Sequence, residues 1–131
     1  MKRSIDTSAY VALKQGDERV ATLVRASDEI LISIVVVAEL MFGFRNGSRY
    51  DRNVEELQAL LRRPAVSVQD AGWTTADRFG RIAAALRRAG TPIPSNDIWI
   101  AAHAMEHGAE LVTLDRHFQS IPGLALALVD S

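Results

Sequence analysis

Four carboxylates in this sequence stand among apolar neighbours. Asp115 follows the run Leu111, Val112, Thr113 and Leu114 with no turn residue before it, and Asp6 closes a short strand-like segment in "KRSIDTSAY". Glu39 lies inside "SIVVVAELMFGF", where helical spacing surrounds it with Val35, Val36, Phe42 and Gly43. Asp97 opens "PSNDIWIAAHAMEHG", and a helical wheel sets it beside Ala101, Ala104 and Gly108 on the small-residue side. Each acid alone has an ordinary explanation. Asp6 and Asp115 could be turn residues. Glu39 could pair with Arg45 or Lys14, and an acid in a first helical turn is favoured by the helix dipole. Together the four suggest a shared pocket, where repulsion would be severe unless a cation binds. Oxygen donors without cysteine suit Mg²⁺ or Mn²⁺. A carboxylate-held ion of that kind, also holding phosphate oxygens, is an arrangement for phosphoryl transfer.

The elements that must position these acids follow from periodicity and punctuation. Residues 2–5 read as a first strand. Thr7 is positioned to cap a helix running to about Gln15, and Gly16 ends it. Asp17 caps a second helix to Ala26, and 29–33 is a strand. The stretch 34–45 mixes a valine run with "AELMFGF"; Ser33 as a cap favours helix. An amphipathic helix over 50–62 ends before Pro64, a strand covers 65–68, and a long helix covers 71–89. A helix at 97–107 is followed by strands at 110–114 and 125–129. Alternating strands and helices predict a parallel sheet covered on both faces. Ligands in such sheets bind beyond the carboxyl ends of the strands, where Asp6 and Asp115 fall.

The 131 residues fit one domain, and 48% hydrophobic content supplies a core. Cysteine is absent, which excludes disulfides and thiolate metal sites. The first residues lack the apolar stretch of a signal peptide, and no apolar run approaches the ~20 residues of a membrane span. The expectation is a cytoplasmic protein. A net charge of −1 is not the basic balance of a typical nucleic-acid binder. Arginine outnumbers lysine 13 to 2, which is compatible with phosphate recognition and also with simple compositional bias.

The segments "IDTSAY", "VVVAELMFG", "NDIWIAAHAMEHG" and "LVTLDRHFQSIPGL" resemble, in order and over nearly the whole chain, the PIN-domain ribonucleases, and among them the VapC-type toxins of bacterial toxin–antitoxin pairs. The resemblance implies one PIN-like domain over 1–131, an α/β fold: a three-layer α/β/α sandwich with a mainly parallel sheet of about five strands. It implies that Asp6, Glu39, Asp97 and Asp115 are both the catalytic and the metal-binding acids. Thr7 and Ser8 would orient the first Asp, and Thr113 would be a further hydroxyl near the phosphate. The implied activity is Mg²⁺-dependent hydrolysis of an RNA phosphodiester, with Mn²⁺ as a substitute, leaving a 5′-phosphate and a 3′-hydroxyl. The implied partners are an RNA substrate, a cognate antitoxin and a second copy in a homodimer. Two departures stand out. Lys2, Arg3 and Ser4 make the first strand polar. Arg116 and His117 follow Asp115 where a further acid sometimes stands.

Arg116 and His117 are candidate RNA contacts; a solvated loop is the ordinary alternative. His103 and His107 have i,i+4 spacing but no HExxH pattern, and the wheel puts them with Trp99 and Glu106 on a wet face. Three other functions compete with this one. A receiver domain needs a late lysine, yet the only lysines are Lys2 and Lys14. A DxDxT-type phosphatase needs a second acid where Ser8 stands. A non-catalytic nucleic-acid or protein-binding module on the same scaffold would not need the intact acid set.

Overall fold

A computed structural model describes residues 1–129. The elements run β1 (Lys2–Ile5), α1 (Thr7–Lys14), α2 (Glu18–Arg25), β2 (Glu29–Ser33), α3 (Ile34–Arg45), α4 (Tyr50–Leu61), β3 (Val66–Gln69), α5 (Trp73–Ala89), α6 (Ser95–Glu106), β4 (Glu110–Thr113), a short 3₁₀ helix (Arg116–Ser120) and β5 (Leu126–Leu128). The sheet has the order β3-β2-β1-β4-β5, and every pairing is parallel. Helices cover it on both faces. The strands themselves require this cover, because their successive side chains point to opposite sides. Ile30, Leu31, Ile32 and Ser33 are all buried, as are Leu111, Val112 and Thr113. Burial of a residue such as Ile32 is worth about 1.5–3 kcal/mol, and its neighbours on both faces repeat that gain.

Strand order decides where the acids meet. The chain steps outward from β1 to β2 to β3, then returns to lay β4 on the other side of β1. Between β1 and β4 the direction of winding reverses. Crevices in open α/β sheets form at such a reversal, beyond the strand carboxyl ends. Asp6 leaves β1 there, and Asp115 follows β4 there.

The polar first strand has a concrete explanation. Arg3 donates from Nε to Glu110 Oε1 on β4 at 2.9 Å, and from Nη1 to Ser27 Oγ at 3.0 Å and to the Leu23 carbonyl at 3.3 Å. The side chain is a tie between β1, β4 and the end of α2, while Ser4 and Ile5 supply buried surface.

Two expectations need correction. The cap of α1 is Asp6, whose carboxylate accepts the Ala9 N–H, and Thr7 is the first residue inside the helix. His103 is not on a wet face: it is 2% exposed. Helix α6 packs against α5 on one side and against β2 and β4 on the other, so almost no face of it is left to solvent. Trp99 meets Phe79 of α5 with ring centroids 4.5 Å apart. Glu106 accepts the hydroxyl of buried Thr75 at 2.5 Å. A wheel with one apolar and one polar side assumes a surface helix, and a helix packed on both sides defeats it. The 3₁₀ helix had no counterpart in the sequence reading; it buries Phe118 beside Ile121. No helix among the described residues is long and apolar enough to cross a membrane.

Ser33 caps α3 by accepting the Val35 N–H at 3.1 Å, and its oxygen lies 2.8 Å from His103 Nδ1. Burial, foremost, holds the His103 imidazole below the usual histidine range. The native state therefore takes up a proton on this ring less readily than the unfolded chain, which does so below about pH 6.5. The sign is then fixed: stability falls as the pH drops through that value. The His103 contribution is read by difference: from pH 7.5 to pH 5.5 the urea unfolding midpoint of the parent chain should fall relative to that of His103→Asn.

Candidate active site and metal centre

Asp6 is the most buried of the four acids, at 4% exposure. Its Oδ1 accepts the Ala9 N–H at 2.8 Å and the Ser8 hydroxyl at 2.7 Å, and its Oδ2 accepts the Thr113 hydroxyl. The same hydroxyls reach further. Ser8 Oγ accepts the Leu114 N–H at 3.0 Å, and Thr113 Oγ1 accepts the Asp115 N–H at 2.9 Å. One carboxylate thus caps α1 and joins the ends of β1 and β4. Burial pushes the Asp6 carboxyl above its ordinary value despite these hydrogen bonds. Oδ2 keeps a lone pair for a ligand in the cleft.

Glu39 is held between two helix starts. Thr7 Oγ1 donates to Oε1 at 2.5 Å, and Asn96 Nδ2 donates to Oε2 at 3.3 Å. Neither Arg45 nor Lys14 is its partner. Arg45 lies 3.8 Å from the centre of the Tyr50 ring, and Lys14 pairs with Glu56 at 3.7 Å. Thr7 therefore orients Glu39, whereas the resemblance implied that it orients Asp6; Ser8 does contact Asp6. Asn96 was not singled out in the sequence. Its position next to Asp97 in a first turn is the signal that could have flagged it.

Asp97 sits in the first turn of α6, and Asp115 caps the 3₁₀ helix by accepting the His117 N–H at 2.9 Å. Burial first, and then the charge of Asp115, raise the Asp97 carboxyl above the usual range. His117 Nδ1 is 3.4 Å from Asp97 Oδ2 and 3.3 Å from Asp115 Oδ1. Donor atoms of these three residues all lie within 4.8 Å of one another.

Asp6, Glu39, Asp97 and Asp115 all line one cleft of about 450 Å³, together with Thr7 and Ser8. Asp97 and Asp115 of this cleft form a tight group with His117 on the adjoining turn, and Asp6 and Glu39 complete the wall. Thr113 lies behind Asp6, fully buried. Arg116 and His117 are on the exposed turn beside Asp115. The donor set fits a divalent ion. Oxygens predominate, as Mg²⁺ or Mn²⁺ requires, and the mutual charge of Asp97 and Asp115 is what a dication would relieve. Asp97 and Asp115, with Asp6 and Glu39 on the same cleft, are the residues that would hold it.

Comparison with known proteins gives a consistent picture. A family model described as PIN domain matches residues 4–124. Ribonuclease VapC1 of Haemophilus influenzae strain R2866 is 32% identical over 126 residues, covering 92% of each chain. The tRNA(fMet)-specific endonuclease VapC of Salmonella typhimurium is 29% identical over 129 residues, covering 96% of each. Among solved structures, a chain of VapBC2 from Rickettsia felis, bound to a DNA fragment from their promoter, superposes with a TM-score of 0.84 at 28% identity, covering 99% of this chain and 100% of that one.

The charge arrangement has a measurable consequence without any substrate. The raised Asp97 carboxyl means that its ionised form costs native stability; the cost is present above its native pKa and is relieved as the pH falls through it. Asp97→Asn should therefore melt at a higher temperature than the parent chain in EDTA at neutral pH, and the difference should shrink on acidification. Added Mg²⁺ should raise the melting temperature of the parent more than that of the variant. Differential scanning calorimetry checks both.

Proposed function

The chain belongs to the PIN-domain family, and on that premise we propose that it is a metal-dependent endoribonuclease toxin that hydrolyses RNA phosphodiester bonds and is restrained by a cognate antitoxin. The observation that carries this reading is the meeting of Asp6, Glu39, Asp97 and Asp115 in one cleft at the sheet's reversal point. The relatives' names support the RNA substrate, and the toxin–antitoxin complexes among the solved structures support the antitoxin. We read residues 1–131 as one PIN-like domain, a reading supported by the family match over residues 4–124, and propose that it acts in the cytoplasm.

Asp97 and Asp115 are proposed to hold the ion directly, with Asp6 and Glu39 completing the acidic wall. Mg²⁺, or Mn²⁺ in its place, would supply the positive charge that steadies the phosphate in the transition state and makes water a better source of nucleophile. The chain's own work is positional. Thr7 and Asn96 fix Glu39, while Ser8, Thr113 and the Ala9 amide fix Asp6, so the carboxylates need no rearrangement when substrate arrives. Arg116 and His117 stand where an RNA backbone would approach the acids. The products would be a 5′-phosphate and a 3′-hydroxyl.

The proposed partners beyond RNA are the antitoxin and a second copy of this chain. Phe42 at 70% exposure and Trp73 at 89% are apolar surfaces available to such partners. A non-catalytic binding module on this scaffold is the competing reading. The hydrogen bonds that hold Asp6 and Glu39 in place weigh against it, since a module that binds without chemistry gains nothing from them.

Asp97→Asn should lower cleavage by two or more orders of magnitude while circular dichroism reports an intact fold, and EDTA should abolish cleavage until Mg²⁺ or Mn²⁺ is added. Mapping cut ends on total RNA reads both, and unchanged cleavage by the variant would remove Asp97 from the proposed role. Expression of the chain alone should arrest growth, and co-expression of a small protein encoded beside it should restore growth. Harmless accumulation of folded, cleaving protein would contradict the toxin reading.

A further inference from the structure

One donor in the tight group is a nitrogen. Resting on the proposed function, we propose that His117 is a direct ligand of the divalent ion through Nδ1, and that it biases the site toward a first-row transition-metal dication such as Mn²⁺ over Mg²⁺.

The geometry is that of neighbouring ligands. Two donors on adjacent corners of an octahedron, each about 2.1 Å from the ion, lie about 3 Å apart. His117 Nδ1 is 3.3 Å from Asp115 Oδ1 and 3.4 Å from Asp97 Oδ2. A small side-chain rotation closes the remaining few tenths. The donors come from two elements, since Asp97 belongs to α6 and His117 to the 3₁₀ helix. The backbone bond from His117 N to Asp115 Oδ1 holds ring and carboxylate on the same side of the turn. The His117 side chain is 55% exposed, so the ring turns without disturbing the core.

The selectivity follows from donor chemistry. Mg²⁺ is a hard ion that demands oxygen and near-ideal octahedral geometry. An imidazole nitrogen is a softer donor, and affinity for it grows along the first-row transition series. Replacing one oxygen of an all-carboxylate site with nitrogen therefore costs Mg²⁺ more than it costs a transition ion.

At the metal site the competing role is that of a counter-ion, the His117 ring pairing with the two acids and standing in for the metal. The two roles predict opposite effects of removing it. A counter-ion competes with the metal, so His117→Ala would leave metal affinity unchanged or tighter. A ligand contributes to binding, so the same change weakens it.

The test uses the full chain with Mn²⁺ and Mg²⁺ as probes. Electron spin-echo spectra of the Mn²⁺-loaded protein should carry ¹⁴N modulation from an imidazole. That signal belongs to His117, because the other two histidines are His103, buried against Ser33, and His107, at the far end of α6. His117→Ala should lose the modulation and bind Mn²⁺ about tenfold more weakly, with Mg²⁺ affinity by calorimetry changed far less. His117→Asn, which offers an oxygen near the Nδ1 position, should bind both ions with the preference for Mn²⁺ erased. Bound Mn²⁺ without ¹⁴N modulation, or Mn²⁺ affinity undiminished in His117→Ala, overturns the proposal and leaves the nuclease reading intact. Failure of the parent chain to bind either ion, together with absence of cleavage, overturns both.

Discussion

The buried carboxylate of Asp6 is the constraint on which the site depends. It is almost without solvent, and its burial is made tolerable by three donors from two segments. Those donors do more than compensate desolvation. The Ala9 amide makes Asp6 the start of α1, and Thr113 makes it the join between β1 and β4. Through Ser8 and Thr113 the bonding extends to the amides of Leu114 and Asp115, so the position of the last acid is set partly by the first. A buried carboxylate with partners from one helix alone would not transmit position in this way.

Around that centre the fold brings each remaining acid in by a different local device. Glu39 arrives on the second turn of a helix whose start is fixed by Ser33, and it is gripped by hydrogen bonds from α1 and α6. Asp97 arrives on the first turn of α6, a helix held from both sides by α5 and the sheet. Asp115 arrives on a turn that it caps itself. The family membership and the geometry are thus independent lines: one comes from similarity along the chain, the other from where distant residues meet.

Much of this was legible in the sequence, because strand and helix leave different periodicities and because Gly16 marks a helix end. Ser33 was legible as a cap, and it resolved the valine-rich stretch in favour of helix despite the β preference of Val35, Val36 and Val37. The acids were legible as anomalies of environment. What was not legible depended on the third dimension. Capping by Asp6 or by Thr7 is a one-residue choice that local pattern does not decide. The partner of Glu39 is Thr7 because α1 and α3 pack together, and no spacing rule links residues 32 positions apart. His103 was misplaced because the sequence shows the period of a helix but not the number of its neighbours. His117 is legible as a candidate RNA contact or a loop residue, but its contact with Asp97, 20 residues away, is not.

The ends of the sheet bear on how another molecule can attach. Its outermost strands, β3 and β5, have four and three residues. Edges that short present few unpaired backbone groups, so they make poor templates for an added strand. The large apolar side chains that do reach solvent include Val11, Ile34, Phe42 and Trp73, and all four are helical. Recognition of this molecule by another chain is thereby directed to side chains on helical faces, where specificity is written in shape and not in backbone register.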